Sequence, residues 1–294
     1  MADRSHVGEA GADPDGPVER GRLSIGSAAL LRKVTTPDGV EIACEVSGSG
    51  APLVMVHGAG SGRWSFDLVR PHLEDKFEVW SIDRRGRGDS TDADDYALER
   101  ELYDVGAVVR EAGDGALLFG HSYGGLLCAG ASAGFGAAGE ARPVRLALYE
   151  GPMGGVLASD DWTERFEANV EAGDADQAMR DFMSDVGGYT EAEIEAMQGT
   201  PYWKARVAAA PTVPRELRAE HAISMDDLHL DWIAAPTLLL VGSRSPGWAK
   251  QSTDAYAGVI PRMEVIVLDD QGHGASMSAP AMLASELEAF LLRP

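Results

Sequence analysis

Gly120-His121-Ser122-Tyr123-Gly124 constrains this chain more than any other feature. It fits G-x-S-x-G, a sharp turn from strand to helix that lifts a serine hydroxyl clear of a sheet. Its surroundings suit that turn. Gly115-Ala116-Leu117-Leu118-Phe119 reads as a short apolar strand, and Leu126-Leu127-Cys128-Ala129 opens a helix of small residues. The serine must take a strained backbone angle, so its neighbours must be small, and Gly120, Gly124 and Gly125 meet that need. A hydroxyl held there is placed to act as a nucleophile once a base removes its proton.

Buried strands alternate with helices on either side of this turn. Leu31–Thr36 and Val40–Val46 flank Pro37-Asp38-Gly39 and read as a hairpin. Pro52–Val56, Phe77–Ile82, Pro143–Tyr149, Pro236–Val241 and Met263–Leu268 read as further strands. Helical spacing predicts Trp64–Leu73, Tyr96–Ala112, Ala249–Val259 and Ala281–Leu292. Gly151 to Trp232 has no clear strand but several helical patterns rich in aromatic residues and methionine. The fold class expected is α/β: a mostly parallel central sheet with helices on both faces, and a helical cap inserted after the strand ending at Glu150. The expected division is a disordered N-terminal segment over residues 1–26, a core over 27–150 and 233–294, and a cap over 151–232.

The 294 residues suffice for one large α/β domain or two small ones. The net charge of −22 sets the surface against polyanions, so neither nucleic acid nor membrane is expected as a partner. Cys44 and Cys128 read as small buried hydrophobes of a reducing compartment, consistent with a cytoplasmic location. Cysteine and histidine spacing offers no metal site, and no cofactor is expected. The N-terminal stretch lacks the basic start and apolar centre of a signal peptide. Arg84, Arg85 and Arg87 form a basic run against the acidic background. A solvated or salt-bridged loop accounts for them most simply; contact with a carboxylate or with the cap is the alternative.

Four motifs lie in order along the chain: His57-Gly58-Ala59-Gly60, Asp83-Arg84-Arg85-Gly86-Arg87-Gly88-Asp89-Ser90, the Ser122 turn, and Gly272-His273-Gly274. Together they resemble the α/β-hydrolase fold superfamily, in its capped and esterase-like form, from Leu31 to the C-terminus. The resemblance implies Ser122 as nucleophile, with His273 as the base that takes and returns its proton. The backbone amide of Tyr123 and that of Ala59, with Gly60 as substitute, are the oxyanion donors it implies.

The orienting acid departs from the commoner pattern. Most relatives carry an aspartate just after the strand that is here Thr237–Val241, yet Gly242-Ser243-Arg244-Ser245-Pro246 has no carboxylate, and Ser245 stands near the expected place. Some branches carry the acid after the preceding strand, which here ends at Glu150. Carboxyl ends of parallel strands share one edge of the sheet, so Glu150 is the acid expected, approaching His273 from an adjacent position. Asp269 and Asp270 are the alternatives.

The expected activity is hydrolysis of a carboxylic ester through an acyl-enzyme, on an apolar small-molecule acyl substrate. Thioester or lactone hydrolysis, acyl transfer, cyclisation, and slow-turnover ligand binding on the same fold are the alternatives.

Overall fold

The computed structural model describes residues 29–134 and 143–293. The expected disordered segment over 1–26 lies outside the described residues. Eight strands form one sheet: β1 Leu30–Thr35, β2 Glu41–Gly48, β3 Ala51–Val56, β4 Phe77–Ile82, β5 Leu117–His121, β6 Arg145–Tyr149, β7 Thr237–Gly242 and β8 Met263–Leu268. Their order is β1-β2-β4-β3-β5-β6-β7-β8. The β1–β2 and β2–β4 pairs are antiparallel, and β4-β3-β5-β6-β7-β8 run parallel. The expected mostly parallel sheet is therefore present, and the carboxyl ends of β3, β5, β6, β7 and β8 lie side by side.

Strand periodicity sends alternate residues to two cores. Val54, Val56, Leu118, Leu146 and Leu148 face helices α1 (Leu98–Ala112) and α2 (Tyr123–Ser132). Leu53, Met55, Leu117, Phe119, Ala147 and Tyr149 join the opposite core, to which α11 (Pro280–Leu291) contributes Leu283, Leu287 and Phe290. Burial on both faces explains why these strands are continuously apolar in sequence.

The stretch predicted as one helix over Trp64–Leu73 is instead two 3-10 turns, Arg63–Phe66 and Arg70–His72. Pro71 disfavours α-helical backbone at Arg70 and has no amide proton to continue the ladder. Phe66, Val69 and Leu73 are still fully buried in the second core, so the apolar face was read correctly and the helix type was not.

Between β6 and β7 every regular element among the described residues is helical. These are α3 (Asp160–Glu171), α4 (Ala175–Asp181), a π-helical turn over Phe182–Val186, α5 (Glu191–Met197), α6 (Pro201–Ala208), α7 (Val213–Ala222) and α8 (Met225–Leu228), with short 3-10 turns between them. After β7 come α9 (Gly247–Val259), β8 and the short α10 (Ala275–Ser278).

The arginine run explains how this insert is fixed to the sheet. Arg84 donates to Glu101 of α1 through Nε and Nη2, both at 2.7 Å, and its Nη2 also reaches Glu216 of α7. Arg87 donates to the same Glu216 oxygen at 2.6 Å. Arg85 turns the other way, to Asp104 and Asp38. All three guanidiniums are buried, so the run is neither solvated nor merely local: two arginines of the core meet one carboxylate of the insert. Replacing Glu216 by Ala leaves two buried cations facing Glu101 alone. Glu216→Ala is expected to cost about 3–5 kcal/mol of stability, read from the midpoint of urea unfolding.

Candidate active site

Ser122 stands between β5 and α2 with φ 54° and ψ −130°, a strained conformation for a side chain other than glycine. Its N–H donates to Tyr149 O at 2.8 Å, which ties the turn to the end of β6. The turn packs against β3 with no room to spare. A Cβ on Gly124 would lie 2.2 Å from Val56 O, and one on Gly58 would lie 2.8 Å from Ser122 Cβ. The Tyr123 amide opens α2, and a first-turn amide has no partner within its own helix. The helix end adds partial positive charge beside it.

The Tyr123 side chain points into the core. Arg84 lies over its ring at 4.6 Å, and its hydroxyl meets Tyr96 Oη at 2.9 Å, which in turn donates to Glu101. Burial pushes both phenols well above their ordinary pKa, so both are neutral hydrogen-bonding groups.

Glu150 and His273 meet. His273 Nδ1 lies 2.5 Å from Glu150 Oε2, and since a carboxylate only accepts, Nδ1 carries the proton. That leaves Nε2 free of a proton in the neutral ring. Glu150 Oε1 accepts from Gly242 N–H at 2.7 Å and from Ser245 Oγ at 2.5 Å. The carboxylate is 1% exposed, and its residue has φ 51°, which turns the chain at the end of β6.

The approach differs from the one expected. Strand β7 separates β6 from β8, so Glu150 is not on the strand next to His273 but reaches it across the end of β7. Ser245 stands where an acid is commoner and is spent on holding Glu150. The alternatives Asp269 and Asp270 are exposed, and Asp270 pairs with Arg244.

The other motif histidines are held neutral. His57 donates from Nδ1 to Gly58 O at 2.9 Å and accepts the Arg84 amide on Nε2 at 3.1 Å. Burial, then the Arg84 charge, keeps it well below the ordinary imidazole pKa. His121 donates from Nε2 to His273 O at 2.8 Å, and burial keeps it well below that range too. Its ring centroid lies 4.6 Å from that of His273, and Trp248 meets the His273 ring edge-on at 5.1 Å. Trp248 also donates to Val186 O at 2.8 Å, linking the insert to the histidine loop.

Ser122, His273, Gly58 and Ala59 line one cavity of about 40 Å³. At roughly 10–15 Å³ per water, that is room for about three. Leu157, Phe182, Met183, Val186, Tyr189 and Arg206 line it from the insert. Gly60 is not among the lining residues, and its carbonyl accepts from Arg206 Nη1 at 3.0 Å. A second cleft of about 450 Å³ adjoins it, sharing Gly187, Tyr189, His273 and Met277. Sequence reasoning missed Arg206, Ser65 and Ser276 as lining residues, since none belongs to a motif.

The family model described as alpha/beta hydrolase family matches residues 53–286. Among solved structures, an alpha/beta hydrolase from Sphaerobacter thermophilus is 33% identical, covering 88% of this chain and 99% of its own, with TM-score 0.76. The esterase RhEst1 from a Rhodococcus species is 23% identical, covering 89% and 98%, with TM-score 0.70. The esterase EaEST from Exiguobacterium antarcticum is 18% identical, covering 90% and 100%, with TM-score 0.73. The last two show a shared fold. No curated protein sequence matches this chain.

The contact between the turn and β3 generates a test of the site's packing. Gly124→Ala forces a methyl into the Val56 carbonyl, where backbone must shift. It is expected to destabilise the protein by about 3 kcal/mol, measured by urea unfolding.

Proposed function

The chain belongs to the alpha/beta hydrolase family, and from its cavity we propose that it is a serine hydrolase of carboxylic esters. The hydrogen bond between Glu150 and His273, beside a cavity that also holds Ser122, carries this reading. His273 Nε2 takes the Ser122 proton as Oγ attacks the ester carbonyl. Glu150 steadies the imidazolium that forms and is itself steadied by Gly242 and Ser245. The amides of Tyr123 and Ala59 receive the charge on the tetrahedral oxygen, each worth on the order of 3 kcal/mol at the transition state. His273 then protonates the departing alcohol, and water attacks the acyl-enzyme by the same route in reverse.

Residues 151–232 act as a cap over this chemistry. Its apolar lining, Leu157, Phe182, Met183 and Val186, supports an acyl group with an apolar body. Slow-turnover binding would be favoured by the lack of an orienting acid, and the contact of Glu150 with the His273 ring supports hydrolysis over it.

Two experiments test the assignment. Ser122→Ala is expected to abolish both ester hydrolysis and covalent labelling by a fluorophosphonate; labelling that persists would move the nucleophile elsewhere. Glu150→Gln is expected to lower kcat by on the order of 10³–10⁴-fold with the circular dichroism spectrum unchanged. Near-normal turnover would remove Glu150 from the mechanism.

A further inference from the structure

Among the described residues, buried arginines come with carboxylates, and Arg206 is the exception. Arg84, Arg85 and Arg87 each pair with buried acids, and the partly buried Arg63 and Arg70 pair with Glu45. Arg206, on α6 of the cap, is 7% exposed and lines the Ser122 cavity, yet among the described residues no carboxylate meets it. One nitrogen, Nη1, donates to Gly60 O at 3.0 Å, and the guanidinium lies 5.0 Å from the Trp64 ring centroid. Those contacts fix its position without balancing its charge. No Asp or Glu lines the cavity. A buried cation without a counter-charge is costly unless something supplies one. Burial pulls its pKa below the ordinary arginine value, yet the guanidinium stays charged at neutral pH.

A second polar group points to the same ligand. Ser65 lines the same cavity, and its buried Oγ has no hydrogen-bond partner. A guanidinium fork with a hydroxyl in one small cavity matches a carboxylate, which accepts from both. Gly60, the residue that anchors Arg206, directly follows Ala59 on the loop beside Ser122, so the cation sits near the reacting carbonyl.

The two cavities decide which half of the ester bears the charge. His273 must protonate the departing alcohol, and His273 lines both cavities, whereas Arg206 lines only the small one. The alcohol therefore leaves towards the larger cleft, and the acyl group occupies the closed side with Arg206. We propose that the substrate is a monoester of a short dicarboxylic acid, whose free carboxylate binds Arg206 and Ser65 while its ester carbonyl meets Ser122. The proposal rests on the serine-hydrolase reading above and narrows it. An apolar body remains, but with an anionic end, and the small cavity limits the acid to a few carbons.

The test compares monomethyl glutarate with methyl hexanoate, a neutral ester of similar length, by titrating the acid released. The wild-type protein is expected to favour the monoanion in kcat/KM, and Arg206→Met to cut that preference by about 10–100-fold. Arg206→Lys, which keeps the charge and loses the fork, is expected to recover part of it. Equal losses on both esters would mean that Arg206 serves the oxyanion, and a wild type with no preference would equally overturn the proposal. Calorimetry on Ser122→Ala does not depend on an Arg206 variant folding: glutarate should bind at least tenfold more tightly than glutaramide, and equal binding would overturn the proposal. If neither ester is cleaved but glutarate binds, the ester reading fails and the anion site stands.

Discussion

One buried carboxylate holds the ends of three strands. Glu150 leaves β6, takes the amide of Gly242 at the end of β7 and the hydroxyl of Ser245 just beyond it, and meets the histidine that follows β8. Burying a carboxylate so completely is costly unless its oxygens are satisfied. Here three donors converge on two oxygens. The same arrangement that makes its burial tolerable also fixes the tautomer and direction of the His273 ring. Remove the carboxylate, and the loops after β7 and β8 lose the group they share. Structural and proposed catalytic demands fall on one side chain, which is why its backbone can bear a positive φ.

The charges inside the molecule follow a different rule from those outside. The surface is strongly acidic, as the net charge of −22 requires, while buried Arg84, Arg85 and Arg87 are drawn into closed sets with carboxylates. Arg84, Arg87, Glu101 and Glu216 balance two charges against two, and the set spans the core loop, α1 and the insert. Arg84 also lies over the ring of Tyr123, the residue whose amide is proposed to stabilise the oxyanion. The docking of α7 and the placing of the helix that starts at Ser122 therefore draw on the same guanidinium. Movement of the insert on that side would disturb the helix that starts at Ser122. The π-helical turn Phe182–Val186 lines the small cavity, and Gly187 and Tyr189 just beyond it line both that cavity and the larger cleft.

Much of this was legible in the chain, for reasons that differ by residue. The sheet could be read because strands buried on both faces are continuously apolar, and Ser122 because its turn demands small neighbours at fixed offsets. Glu150 was legible as a strand-end carboxylate where the later loop had none. Strand adjacency was not, because sequence order does not say that β7 lies between β6 and β8. Over Trp64–Leu73 the buried face was plain while the helix type was hidden in one proline. The arginine run could be seen but its partners could not, since Glu216 lies 132 residues from Arg84. Arg206 left no mark at all: a single arginine in an amphipathic helix looks like a surface residue until the fold closes over it.

Arg206 gives the cavity a character that overall charge would not suggest. At distances beyond a Debye length, about 8 Å at physiological ionic strength, salt screens the acidic exterior. Within the closed cavity the medium is less polar and the guanidinium is held by Gly60 and Trp64 rather than neutralised. The acidic surface slows the arrival of every anion alike, so it cannot select among them. On the proposed reading selection falls to the interior, where a carboxylate at the right distance from the ester meets a preorganised fork and one at the wrong distance meets Leu157, Phe182 and Met183. On that reading a neutral acyl chain of the same length would leave the cation without a counter-charge and the Ser65 hydroxyl unpaired, a penalty that would let so small a cavity discriminate by charge.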